Sequence, residues 1–116
     1  LGINAATTAL WLGRNADAIA LARAVEDVLL GRLKALKPYI PGAMQAMSIW
    51  DRMTLAEAML IRGDLDSACA TYQSASRDHA SELENIAVAR KQAESILRVL
   101  RPEMDCAAWW TGQAST

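Results

Sequence analysis

Met53 to Ser76, MTLAEAMLIRGDLDSACATYQSAS, is the stretch that decides the fold. Leu55, Ala58, Met59 and Ile61 recur at helical rather than alternating spacing. Arg62-Gly63 then ends that helix, because a glycine just past a helix tolerates the left-handed backbone of a C-terminal cap. Asp64 follows and caps the next helix by accepting a hydrogen bond from a free backbone N–H. Leu65, Ala68, Cys69, Tyr72 and Ala75 give the second helix one apolar stripe. So short a link obliges the two helices to lie antiparallel and adjacent. Ala56, Ala58, Ala68 and Ala75 are small where the helices cross, and Tyr72 fills the space beside them.

The same pattern stands fifty residues earlier. Ala6, Leu10, Gly13, Ala18 and Ala20 correspond to Ala56, Leu60, Gly63, Ala68 and Ala70. The first helix therefore covers Leu1 to Leu12, with Ala5, Ala6, Ala9 and Leu12 on one face and Asn4, Thr7 and Trp11 on another. Gly13 is its turn, and Asn15 is placed to cap the second helix. Ala18, Leu21, Ala22, Val25, Val28, Leu29, Leu33 and Leu36 mark the buried side of the second helix, and Asp17, Arg23, Glu26, Asp27 and Lys34 the outer side. Gly31 weakens its last turns. Lys37-Pro38-Tyr39-Ile40-Pro41-Gly42 is a loop, since two prolines and a glycine do not continue a helix. A third helix starts between Ala43 and Ser48, with Pro41 favouring the early start and Ser48 or Asp51 able to cap a later one, and carries Met44, Met47, Trp50 and Met53 into the hairpin. Ser81 and Glu84 form a capping box for a fifth helix. Leu83, Ile86, Ala87, Arg90, Ala93, Ile96, Leu97 and Leu100 are its stripe, and Pro102 stops it. The expectation is all-α: antiparallel helical hairpins stacked into an array of about five helices over residues 1–101. Residues 102–116 form a tail, either packed back through Trp109-Trp110 or serving as a linker.

Within the hairpin, Ala56, Gly63, Ala68, Tyr72 and Ala75 resemble the tetratricopeptide repeat. The early Trp-Leu-Gly of that motif is missing, and Ala80 stands where its closing proline would fall. Taken together, Gly2-Ile3-Asn4-Ala5-Ala6-Thr7 with Leu10-Trp11-Leu12-Gly13, the hairpin LAEAMLIRGDLDSA and the basic AVARKQAESILRVL resemble the helical TRAFs-binding region of mitogen-activated kinase-kinase-kinases. Bacterial multidomain proteins carry a related tetratricopeptide-like region. The resemblance runs from Gly2 to about Leu100 and implies a regulatory or scaffold region within a larger bacterial signalling or effector-type protein. With no kinase segment in the chain, binding to TRAF-type adaptors does not carry over.

Composition narrows the function. The chain has 116 residues, 53% hydrophobic and 22% charged, enough for one globular domain. A net charge of -1 speaks against a nucleic-acid surface. No apolar run approaches the roughly eighteen residues of a membrane span. The opening Leu1, with no methionine and no charged leader, suggests a piece of a longer protein without a signal peptide. Cys69 and Cys106 read as reduced thiols in a cytoplasmic protein, with no metal site and no cofactor. His79 falls in a link with no acid–base partner nearby in sequence, and reads as a surface residue. No nucleophile elbow or phosphate loop is present, so an enzyme is not expected.

A stacked array presents its first helices on a concave side. That places Asn4, Thr7 and Trp11 opposite Trp50, Met53, Thr54, Glu57 and Ile61 as a groove for a protein or peptide partner, or for a neighbouring domain. Trp11, Trp50 and Met53 read alternatively as core, and Asn4 as a helix cap. Arg90, on the apolar stripe, pairs with Glu57 or another carboxylate, extends its stem to solvent, or contacts an anion. The expected function is a non-enzymatic protein–protein interaction or scaffold module. The alternatives are a structural spacer between catalytic domains and a homo-oligomerisation module using the Met-rich third helix.

Overall fold

The computed structural model describes residues 2–113, and every regular element among them is helical. In order these are α1 (Gly2–Trp11), α2 (Asn15–Leu36), α3 (Ala43–Ala46), α4 (Ile49–Ile61), α5 (Leu65–Asp78), α6 (Leu83–Leu100) and α7 (Cys106–Trp110). The all-α expectation holds, with seven helices where about five were expected. The two extra ones are short. Gly42, at φ +72°, opens α3, and extended backbone at Met47 and Ser48 closes it. The Ser48 hydroxyl then accepts the Asp51 N–H at 3.1 Å and starts α4. The early and late starts of the third helix thus both occur, as separate helices. In the tail, Asp105 accepts the Ala108 N–H at 3.1 Å and nucleates α7.

α1 with α2 and α4 with α5 are the two hairpins. Gly13 and Gly63 bend them with φ of +77° and +94°. At the first bend, Arg14 N–H donates to Ala9 O (2.8 Å) and Gly13 N–H to Leu10 O (3.0 Å). At the second, Asp64 N–H donates to Met59 O and Gly63 N–H to Leu60 O, both at 3.0 Å. This paired six-to-one and five-to-two bonding is the Schellman cap, which satisfies carbonyls that the helix end would leave bare. Asp64 Oδ1 also accepts the Ser67 N–H at 3.1 Å. Two expected caps do not form. Arg14 rather than Asn15 holds the cap position of α2, with no side-chain bond. The Ser81–Glu84 box is absent because α6 starts after Glu82, whose carboxylate lies 2.9 Å from His79 Nδ1 and accepts from Asn85 at 3.1 Å.

No neighbour stands within 4 Å of where a Cβ would sit at Gly13, Gly63 or Gly31, so backbone conformation alone sets the effect of adding one. Gly13→Ala and Gly63→Ala should each lose about 1 kcal/mol. Gly31→Ala, inside the continuous α2, should gain about 1 kcal/mol. Urea midpoints of the three variants check these opposite signs.

The fifty-residue repeat is visible in the packing. Ala6, Leu10, Ala18 and Ala22 are buried, as are their counterparts Ala56, Leu60, Ala68 and Tyr72, while Ala20 and Ala70 are both exposed. α4 is the central rod and touches α1, α2, α5 and α6; α7 packs on α5 and α6. Three faces differ from expectation. α1 meets three helices and buries Ala6, Thr7, Ala9 and Leu10, leaving Ala5 and Leu12 exposed. On α2, Glu26 is buried, and Val28 and Leu36 are exposed. On α6 the buried run is Ala89, Ala93, Ile96 and Leu97, with Leu83 and Ala87 outside.

Candidate functional site

α1, α4 and α6 touch one another pairwise and leave a cleft of about 500 Å³ between them. The periodicity of α4 brings Trp50, Met53, Thr54 and Glu57 to one side of that helix, at helical spacing, and all four line the cleft. Ile3 and Asn4 of α1 form a second wall. Val88, Ala89, Lys91, Gln92 and Ser95 of α6 form the third, and Tyr72 of α5 completes the lining.

Of the residues expected in the groove, Asn4, Trp50, Met53, Thr54 and Glu57 meet here. Trp50 is 52% exposed, whereas Met53 is buried. Thr7 lies buried behind the lining, its hydroxyl 2.9 Å from Glu57 Oε2 and 3.0 Å from Ile3 O. Trp11 and Ile61 are not part of the cleft. Trp11 is seven residues beyond Asn4, about 10 Å along the helix axis, and is exposed. Ile61 is core, because α4 is enclosed by four other helices. Arg90 does not reach Glu57. Its Nε lies 3.8 Å from Glu94 Oε2, and its guanidinium sits 5.8 Å over the Trp110 ring.

The α6 wall and Tyr72 were not foreseen as site residues. Val88, Lys91, Gln92 and Ser95 fall at helical spacing, but a mostly polar stripe reads as a solvated face until another helix is seen opposite it.

Two polar groups in the cleft stand out electrostatically. Burial pushes the Glu57 carboxyl above its ordinary range, and the Thr7 hydroxyl works in the opposite direction. Thr7 has a single hydroxyl proton for its two acceptors, so the Glu57 carboxylate is only weakly satisfied. Tyr72 is 1% exposed, and its hydroxyl has no hydrogen-bond partner among the described residues. Burial raises the phenol well above its usual value, and the Glu57 charge adds to the rise.

Two further polar contacts tie the frame together. Arg52, 1% exposed, donates to Asp78 Oδ2 at 2.7 Å and to Ser74 Oγ at 2.6 Å, stapling α4 to α5. Arg62, at the end of α4, forks onto both oxygens of Glu26 on α2 and joins one hairpin to the other. The Glu26 hydrogen bond is the main cause of the raised Arg62 pKa. Neither arginine was singled out from the sequence as a structural contact.

His79, expected at the surface, is mostly covered. Its Nε2 is buried and has no partner among the described residues. The Cys69 thiol donates to Trp109 O at 3.1 Å and is raised in pKa chiefly by burial. Cys106 is also a free thiol. Among the described residues, no group of three His, Cys, Asp or Glu side chains is placed to hold a metal ion, and no helix is long and apolar enough to cross a membrane.

The fold and cleft define a class, an all-α protein of helical hairpins with a mixed polar and aromatic cleft between α1, α4 and α6. Comparison with protein-family models, with curated proteins and with solved structures gives no match for the chain.

Proposed function

We propose that this chain is a non-enzymatic interaction module of the tetratricopeptide-like kind, taking a segment of a protein partner into the cleft between α1, α4 and α6. One observation carries the reading: Trp50 stands half-exposed at a cleft lined by hydrogen-bonding Asn4, Thr54, Gln92 and Ser95. A tryptophan beside polar groups is the kind of surface that contributes most when a partner covers it. The paired Schellman bends and the small residues at the hairpin crossings support the tetratricopeptide-like assignment, and the long α2 with the loop after it accounts for an offset of fifty where that repeat recurs at about 34.

A spacer role is less well supported, because among the described residues none of α7 or of the rest of the tail lines the cleft. An enzymatic role lacks an activated nucleophile: among the described residues, Thr54, Ser95 and Lys91 of the lining are bonded to no carboxylate or imidazole. The one side-chain bond of Glu57 goes to Thr7, whose hydroxyl lies buried behind the lining. The free thiols Cys69 and Cys106 fit a reducing compartment such as the cytoplasm. The suggested setting is a scaffold segment in a larger signalling or effector-type protein.

Selection from a displayed peptide library against the whole chain, followed by calorimetry, tests the reading. Selected peptides should lose about tenfold in affinity with Trp50→Ala and stay within about twofold with Trp11→Ala, which lies outside the cleft. Peptides indifferent to Trp50→Ala would place recognition elsewhere.

A further inference from the structure

We infer that the cleft is a socket for one basic side chain, lysine or arginine, of the bound segment, with the Glu57 carboxylate as counter-charge and the Tyr72 hydroxyl as a second hydrogen-bond partner. The inference rests on the reading of the cleft as a peptide site and adds the chemistry of what enters it.

Glu57 is the first support. Its carboxylate is half-buried and forms no ion pair among the described residues, whereas Glu26, Asp78 and Glu94 each face an arginine. A desolvated carboxylate without a cation is costly, and an arriving ammonium or guanidinium removes that cost. Tyr72 is the independent support. Tyr72 lines the same cleft, and its hydroxyl is buried without a partner and feels the Glu57 charge, so it can accept an N–H from a cation held by Glu57. The remaining lining suits the rest of such a side chain. Ile3, Met53 and Val88 offer apolar surface to an aliphatic stem, and Trp50, about 10 Å along the helix axis from Glu57, is left to contact a neighbouring part of the segment.

The charged groups facing Glu57 are few. Among the described lining residues α1 supplies none, α5 supplies only Tyr72, and α6 supplies Lys91. Lys91 is exposed, so solvent and salt screen its repulsion. Binding of a cation requires Glu57 ionised. Because burial raises its pKa, affinity should fall on acidification earlier than it would for an ordinary glutamate.

The test uses the whole chain and pools of acetylated pentapeptides in which one position is fixed as lysine, arginine or norleucine. Butylammonium, butylguanidinium and butanol serve as small probes, followed through the NMR shift of the Glu57 side-chain carboxyl carbon. Lysine or arginine pools should bind about tenfold tighter than norleucine pools. Glu57→Gln should erase that preference while leaving norleucine binding intact. Tyr72→Phe, which keeps the ring in the core, should reduce the preference several-fold. Lys91→Ala should strengthen cation binding only slightly, and less at high salt. Equal binding of lysine, arginine and norleucine, or a lysine preference that survives Glu57→Gln, overturns the socket while the peptide cleft stands. Cations that shift the carboxyl carbon while no peptide pool binds in a Trp50-dependent way support the socket and overturn the peptide reading. If neither the small cations nor the basic pools perturb Glu57, the socket is wrong.

Discussion

Trp109→Ala should destabilise the protein by about 3–5 kcal/mol, the largest loss from any single side chain in the tail. Trp109 is 3% exposed, and its ring meets Tyr72 edge-on, with centroids 6.0 Å apart and planes at 78°. α7 has only five residues, too few to be helical alone, so it exists because Trp109 anchors it to α5 and α6. Removing the indole opens a cavity beside Tyr72 and frees the turn that carries Trp110, whose ring also stacks on Tyr72 at 5.0 Å. The indole N–H is buried with no partner among the described residues, which offsets part of what its burial contributes. Trp109→Phe should therefore lose much less than the alanine variant. Chemical denaturation followed by far-UV circular dichroism measures both. A loss below about 1 kcal/mol for the alanine variant would mean that α7 contributes nothing to the fold. Against a total of about 5–15 kcal/mol for a domain, the expected loss leaves a marginal protein.

Arg52→Ala should cost about 3 kcal/mol, and Arg52→Met about 1 kcal/mol or less. Arg52 heads the large, fully buried side chains of the protein. Both variants leave the Asp78 carboxylate without its guanidinium, and alanine leaves a cavity as well. Methionine fills most of the volume and removes the buried charge together with its desolvation cost. Asp78 is one-third exposed and can turn to water, which holds the alanine figure at the lower end of the range for broken buried pairs. Thermal melts give the order of the variants. A double-mutant cycle with Asp78→Asn isolates the pair from the packing. A methionine variant less stable than the alanine variant would show that overpacking, not the cavity, governs the difference between them.

The hairpins were legible in the sequence because their signals are local. Gly13 and Gly63 stand where a left-handed residue is required, and Asp64 stands where a cap is required. What escaped depends on partners far along the chain. Glu26 and Arg52 look like surface charges until Arg62 and Asp78 arrive, 36 and 26 residues away. The inner face of α1 was misplaced because α2, α4 and α6 share it, and no one-helix pattern encodes a three-sided contact. Asn4 and Glu57 come together because equivalent helices of a stacked repeat lie side by side, as the direct bond between Thr7 and Glu57, fifty positions apart, makes plain. The α6 wall carried no such signal, since nothing in the repeat specifies where a helix outside it will lie.

α2 runs for 22 residues, about 33 Å, while α5, its counterpart in the second hairpin, has 14. The surplus extends past the continuous core, and Leu29, Leu33 and Ala43 are buried apart from that core. A small secondary nucleus of this kind opens at lower free energy than the main body. Leu29, Leu33 and Ala43 line one cavity with Ser48 and Asp51 at the start of α4, so opening this end would loosen the approach to Trp50 before it disturbed the Gly63 bend.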